Sequence, residues 1–344
     1  MSAGFAARVI AWQRKHGRHD LPWQGTRDPY AVWLSEIMLQ QTQVTTVIPY
    51  YNRFLARLPD VAALAATPLD EVMRLWSGLG YYARARNLHR AAQVVMSAHG
   101  GRFPRRLDEV AALPGVGRST AAAICAFAFG QRHAILDGNV KRVLARARGI
   151  KGYPGASKIA DQLWREAERL LPRRNVEAYT QGLMDLGATV CTRRKPRCDA
   201  CPLRGDCVAV RRGWVGKLPA PRPRKPLPHK RTVMLVLTRG GEVLLEKRPP
   251  TGVWGGMWCL PEAARQADIA ATCLKRFGAR VIEIEALPRI AHGFTHFSLD
   301  IRPLRLRVSA LVPNAAEPGL VWLPLEAARG AAIPAPVRKI LAAL

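Results

Sequence analysis

The chain is poor in acid. Its 344 residues carry 25 Asp and Glu against 53 Lys and Arg, a formal net charge of +28. A surplus of that size favours a polyanionic partner, although it gives affinity without sequence specificity. An Arg-rich composition alone also yields a basic chain, so charge does not name the partner. Long apolar runs are missing. No stretch reaches the ~18 apolar residues a membrane span needs, so no membrane partner is expected. The opening MSAGFAARVIAWQRKHGRHD lacks the layout and the small-residue cleavage site of a secretory signal. A cytoplasmic chain is expected. No internal repeat is visible, which excludes a solenoid. Cysteine is scarce outside one short stretch. Of seven, four fall between Cys191 and Cys207; Cys125, Cys259 and Cys273 sit in apolar contexts that suit small core residues. Clustering in a cytosolic chain points to metal rather than to a disulfide framework.

What is present is organised around Leu113-Pro-Gly-Val-Gly-Arg-Ser-Thr120, an apolar run, and then Asp137-Gly-Asn-Val140. Gly115 and Gly117 flank Val116, and a helix start follows at once. Without Cβ atoms such a turn exposes backbone N–H groups, and the helix directs its positive end the same way. The pattern suits a phosphate cradle; it equally suits an ordinary tight turn. Asp137 stands one helix further on, with Asn139 beside it.

Residues 1–210 read as helical throughout. Asp28-Pro29 gives an N-cap and a proline at the first helical position. The helix that follows carries Glu36 among apolar residues at helical spacing, with Trp33 and Leu39 three residues to either side. Such an acid is either solvated at the stripe's edge or buried and protonated for use. Further helices are expected over 44–58, 68–76, 82–98, 139–148, 158–171 and 176–188. Ser77-Gly-Leu-Gly-Tyr81, followed by Arg84 and Arg86, forms a glycine-rich loop with an aromatic tip beside arginines. Tyr81 there either wedges into a base stack or packs the loop onto the core.

The spacing C-x6-C-x2-C-x5-C over Cys191, Cys198, Cys201 and Cys207 holds a single short knuckle. Zinc modules usually pair two. Four thiolates in one compact loop favour an iron–sulfur cluster over zinc, with zinc the alternative. Residues 211–230 alternate proline with basic residues and read as a semi-rigid linker. Residues 231–344 change to strand patterning, over 232–238, 242–248, 281–286 and 297–308, with helices over 263–277 and 335–343. This α+β part opens a Nudix-type box at Gly256 and Glu262. The helix meant to complete that box reads Ala270-Ala-Thr-Cys-Leu-Lys-Arg-Phe-Gly278, with no carboxylate to hold magnesium. A Nudix-like reader without nucleotide hydrolysis is expected.

Taken together the motifs resemble a known family. Leu113-Pro-Gly-Val-Gly117 with Asp137 resembles the helix–hairpin–helix DNA glycosylase superfamily, and the Cys191–Cys207 spacing is similar to its iron–sulfur members. Trp33-Leu-Ser-Glu-Ile-Met-Leu-Gln-Gln-Thr-Gln43 and the Nudix-like tail resemble its adenine-removing branch. The resemblance covers nearly the whole chain. It implies an all-α glycosylase core with a [4Fe-4S] loop, joined to an α+β lesion-recognition domain. It implies removal of adenine opposite 8-oxoguanine or guanine in double-stranded DNA, and a monomer. Among residues it implies Glu36 as the acid that protonates adenine and Asp137 as the carboxylate facing the sugar cation, with Asn139 near it. Asp137 is expected to stay ionised. Trp23 and Gln181 would form the adenine pocket, Gln41 and Tyr81 the wedge, and Phe294, Thr295 and His296 the 8-oxoguanine reader. Strand-cutting relatives carry a lysine at the place of Ser119, which forms a Schiff base with the sugar. Serine lacks that amine, so base release without strand cutting is expected. Two other readings stay in view: a lesion glycosylase with lyase activity, and a non-catalytic DNA-binding protein.

Overall fold

The structure, a computed structural model, describes residues 2–223, 226–264, 266–311 and 319–344. It divides into two compact units, Met1–Ala66 with Asn87–Arg224, and Thr67–Arg86 with Lys225–Leu344.

In chain order the helices are α1 (Ser2–His16), α2 (Pro29–Leu39), α3 (Val44–Arg57), α4 (Val61–Ala66), α5 (Leu69–Trp76), α6 (Ala83–Ala98), α7 (Leu107–Ala112), α8 (Arg118–Phe129), α9 (Gly138–Arg148), α10 (Ser157–Leu170), α11 (Val176–Asp185) and α12 (Val208–Arg211). Local chemistry sets their ends. Asp28 accepts from the N–H groups of Tyr30 (3.0 Å) and Ala31 (3.3 Å), so α2 begins where the cap and proline put it. Gly130 and Gly149 take left-handed conformations and stop α8 and α9. The core of the first unit gathers Phe5, Ile135, Leu144, Leu163 and Leu183, all nearly excluded from solvent. Each large apolar side chain buried there contributes roughly 1.5–3 kcal/mol.

Two departures from expectation concern α11 and the stretch from 211. The α-helical part of α11 ends at Asp185, and Leu186–Val190 continue as a π turn. Any side chain at Gly187 would meet Asn139, its Cβ lying 2.5 Å from that of Asn139, so the close approach to α9 selects glycine there. The stretch from 211 is not linker at its start. Leu218 is buried with Cys207 and Ala209, and Trp214 and Val215 pack against them. His229 and Lys230 already belong to a strand. Of the expected linker, Arg224 and Lys225 lie outside the described residues.

The second unit is built on a mixed sheet of β1 (His229–Arg239), β2 (Glu242–Lys247), β3 (Trp258–Cys259), β4 (Glu262–Ala263), β5 (Ala279–Ala286), β6 (Ile290–Gly293), β7 (Ser298–Leu311) and β8 (Leu320–Pro324), with α13 (Ile269–Phe277), α14 (Leu325–Gly330) and α15 (Ala335–Ala342). The order β3-β2-β1-β7-β5 puts β1 and β7 at the centre as a parallel pair, while β4, β6 and β8 pair with β1, β7 and β2. Val233–Leu237 are buried without alternation, the pattern of a strand covered on both faces. The helix expected over 263–277 starts only at Ile269. Ala263 is taken by β4, and Asp268 caps α13 by accepting from Ala271 N at 3.0 Å. No helix among the described residues is long and apolar enough to cross a membrane.

Candidate active site

A cavity of about 540 Å3 opens in the first unit between α1, α2, α8 and α11. Trp23, Glu36 and Gln181, which sequence spacing scatters over some 160 residues, all line it, together with Arg18, Phe127 and others. The volume falls in the range of small-ligand sites. Trp23 is held edge-on by Tyr51, ring centroids 5.3 Å apart.

Glu36 is the part-exposed residue in a run of buried ones along α2, because it faces this cavity. Burial pushes its carboxyl up from 4.5 to about 8, and the charge of Asp137 adds to the rise. Its half-buried place on the cavity wall favours the alternative of an acid held protonated for use. Asp137 is the N-cap of α9 and accepts from Val140 N at 2.7 Å. Its carboxyl is also raised, by burial, while the Val140 and Asn139 N–H groups and the charges of Arg142 and Lys141 pull it back. The helix start was expected to hold Asp137 low; its enclosure outweighs that. Glu36, unlike Asp137, has no helix terminus to offset desolvation.

Ser119 lies in the first turn of α8, and its Oγ accepts from Leu136 N at 2.9 Å. The hydroxyl ties the hairpin helix to the residue just before Asp137. Asn139 accepts from Arg142 Nη2 at 2.7 Å, and the same guanidinium donates to Gly187 O and Cys191 O, each at 2.6 Å. In the hairpin Gly115 has φ +80°, and a Cβ there would lie 2.8 Å from Asn87 Cβ. Gly115 is thus required twice over. Gly117 is not: as N-cap of α8 it has φ −96° and open space around it. Val116 is buried and anchors the turn.

Cys191, Cys198, Cys201 and Cys207 line one pocket with Arg146, Val190, Val210 and Val215. Burial raises the thiols of Cys198 and Cys201, the latter to about 11, and the neighbouring cysteines add to both rises. Four thiols so crowded suit a cationic centre, which deprotonates its ligands outright. Buried Arg146 points the same way, donating Nη1 to Cys191 Sγ at 3.4 Å and to Thr192 O at 2.7 Å. The donor set fits an iron–sulfur group. Among the described residues no three His, Cys, Asp or Glu side chains stand as a finished shell for a single metal ion.

Gln41 and Tyr81 share a backbone peculiarity. Both have positive φ, 58° and 49°, as do Asn175, Lys195 and Trp254 among non-glycine residues. Such conformations cost about 1–2 kcal/mol and concentrate at functional segments. Tyr81 is 45 % exposed, which excludes the core-packing alternative. Buried Arg84 braces its loop, donating to Gly80 O at 3.2 Å and lying 5.4 Å from the Tyr81 ring centroid. In the second unit Phe294 stacks on Phe297 (4.3 Å) and packs against Trp254 (5.6 Å), leaving Thr295 and His296 exposed at the tip. Where the Nudix box needs carboxylates, α13 carries Lys275 and Arg276. Arg276 donates to Glu246 Oε1 and to Glu262 O, both at 2.8 Å, and Arg248 pairs with the Glu262 carboxylate at 3.2 Å.

Sequence reasoning missed Arg18, Asp185, Arg142, Arg146 and the role of Arg276. Only Asp185 left a local trace, standing four residues after Gln181 on one helix face.

Three family models match. They are the HhH-GPD superfamily base excision DNA repair proteins over residues 34–169, the iron–sulfur binding domain of endonuclease III over 191–207, and the NUDIX domain over 232–343. The adenine DNA glycosylase of Buchnera aphidicola subsp. Acyrthosiphon pisum is 37% identical over 98% of this chain and 96% of its own length. The Homo sapiens adenine DNA glycosylase is 33% identical over 98% and 73%. Among solved structures, a thermostable thymine-DNA glycosylase matches 61% of this chain and 97% of its own at TM-score 0.56 and 33% identity. An endonuclease III–DNA complex shares the fold, at TM-score 0.53 and 22% identity over 62% and 98%. The chain belongs to the adenine DNA glycosylase family, base-excision-repair enzymes that join a helix–hairpin–helix core and an iron–sulfur loop to a Nudix-like domain.

Proposed function

We propose that this chain removes adenine mispaired with 8-oxoguanine or guanine from duplex DNA and leaves an abasic site without cutting the strand. One observation carries the reading: a cavity that gathers Trp23, Glu36 and Gln181, with the Glu36 carboxyl raised to about 8 by burial and by the charge of Asp137. The target base must leave the stack to reach such a cavity. Glu36, still protonated at neutral pH, donates to N7 of the extruded adenine. The C1′–N9 bond then breaks with its electron pair going to the base, and the sugar becomes oxocarbenium-like. Asp137 faces that cation; water adds to C1′ and loses a proton. Asn139 and Ser119 hold Asp137 in place, and no amine at 119 is available for a Schiff base. Gly115, Val116 and Gly117 cradle a phosphate. Gln41 and Tyr81 fill the gap left in the duplex, a role their strained backbones support.

Phe294, Thr295 and His296 read the 8-oxoguanine, with the exposed hydroxyl and imidazole at the tip of an aromatic stack. Cys191, Cys198, Cys201 and Cys207 hold one [4Fe-4S] cluster. When bound, it cross-links the basic loop 191–207. The chain acts as a monomer in the cytoplasm, where thiols stay reduced.

The test is single-turnover base release on duplexes with adenine opposite 8-oxoguanine or guanine, assayed with and without alkali. Breaks are expected only after alkali. Asp137→Asn should lose at least ~100-fold in rate while still binding DNA. Full activity in that variant refutes the mechanism, and borohydride trapping of a covalent complex refutes the lack of lyase activity.

A further inference from the structure

Asp185 is completely buried at the C-terminal end of α11. Its carboxylate receives Arg18 N (2.9 Å) on Oδ2, and Arg18 Nε (2.7 Å) and Gln181 Nε2 (2.9 Å) on Oδ1, with Arg18 Nη2 at 2.6 Å completing an ion pair. Arg18 reaches it because the chain turns tightly behind α1. Gly17 N bonds Gln13 O at 2.8 Å, and a Cβ on Gly17 would lie 2.5 Å from that oxygen and 3.2 Å from Asp185 Oδ2. The arrangement is therefore specified by sequence on both sides.

A carboxylate only accepts hydrogen bonds, whereas a glutamine amide presents donors on one arm and an acceptor on the other. With Asp185 paired to a guanidinium, Gln181 can meet it only through nitrogen. The amide is fixed against a flip, and Oε1 and the second N–H of Nε2 are left for the cavity that Gln181 lines. That pair matches the adenine edge, where the 6-amino group donates and N1 accepts. Hypoxanthine and guanine present the reverse, an O6 acceptor and an N1 donor. A glutamine free to flip would serve both.

Resting on the function proposed above, we infer that Asp185 is a positioning residue that sets the base specificity of the cavity by locking the Gln181 amide in its adenine-reading orientation. It touches no substrate. Removing the lock relaxes the choice between 6-amino and 6-oxo purines.

The experiment measures single-turnover release of adenine and of hypoxanthine, each opposite 8-oxoguanine, by the full-length chain. Rates are normalised to the burst amplitude, so a partly folded preparation does not distort their ratio. Asp185→Asn, whose amide can donate to Gln181 Oε1, is expected to lower the adenine-to-hypoxanthine ratio roughly 10- to 100-fold. Asp185→Ser, smaller and able to donate or accept, serves the same purpose if the first variant fails to fold. Asp185→Glu keeps an acceptor-only group and should restore much of the ratio. A ratio unchanged in folded Asp185→Asn or Asp185→Ser, with both rates falling together, overturns the inference. Absence of adenine release by the wild-type chain overturns the proposed function instead.

Discussion

Glu36 should make the protein less stable as pH rises, and Glu36→Gln should remove that effect. The folded carboxyl titrates at about 8 against 4.5 when exposed. Between those values the folded state holds the proton more tightly than the unfolded chain, so stability falls with rising pH. The contribution is fully present below about 4.5 and gone above about 8. At about 1.4 kcal/mol per unit, the part lost between pH 6 and pH 9 is roughly 3 kcal/mol. The glutamine amide does not titrate and also relieves the repulsion with Asp137. The variant should therefore gain on the wild type by that amount across the interval, a widening of about 6–12 °C between their melting temperatures for a unit of this size. Paired thermal scans at pH 6 and pH 9 read it, following the near-UV signal of the tryptophans. A gap that stays constant with pH refutes the idea that Glu36 is a desolvated acid. The same titration predicts that base release by the wild type declines as pH passes through about 8, because the proton donor is lost.

Gly115→Ala puts a Cβ at φ +80° and within 2.8 Å of Asn87. The left-handed conformation alone costs about 1–2 kcal/mol for alanine, so DNA affinity should fall about tenfold in a binding titration, whereas Gly117→Ala should change it little. Removing iron, by chelation or by Cys198→Ala, should expose the segment from Cys191 to Leu218 to proteolysis, since Leu218, Trp214 and Val215 pack around Cys207. Protection of that segment equal to the holoprotein's would show that the loop stands without its metal.

The parts of the structure written in short-range chemistry were legible in the sequence. Asp28-Pro29 started α2, and Gly130 ended α8, because caps and left-handed glycines act within a few residues. The cavity residues Trp23 and Gln181 were named through motif resemblance, whereas Glu36 was also marked by its helical spacing among apolar residues. What stayed hidden depends on partners far along the chain. The bond from Arg18 to Asp185 spans 167 residues, and the glycine at 187 answers to Asn139. The enclosure that raises Asp137 comes from packing no local pattern records. The early start given to α13 failed because β4 competes for Ala263, a pairing set by β1 thirty residues away.

Arg276 changes what kind of dependence the second unit has on its surroundings. A divalent ion held by carboxylates comes and goes with its concentration, and related ions compete for the same oxygens. The guanidinium that donates to the Glu246 carboxylate and to the Glu262 backbone carbonyl is tethered to α13 by its own backbone. Its occupancy does not follow magnesium supply, chelators or ionic exchange, and it always carries the same charge. For the Glu246 carboxylate, the counter-ion is an inherited part of the chain.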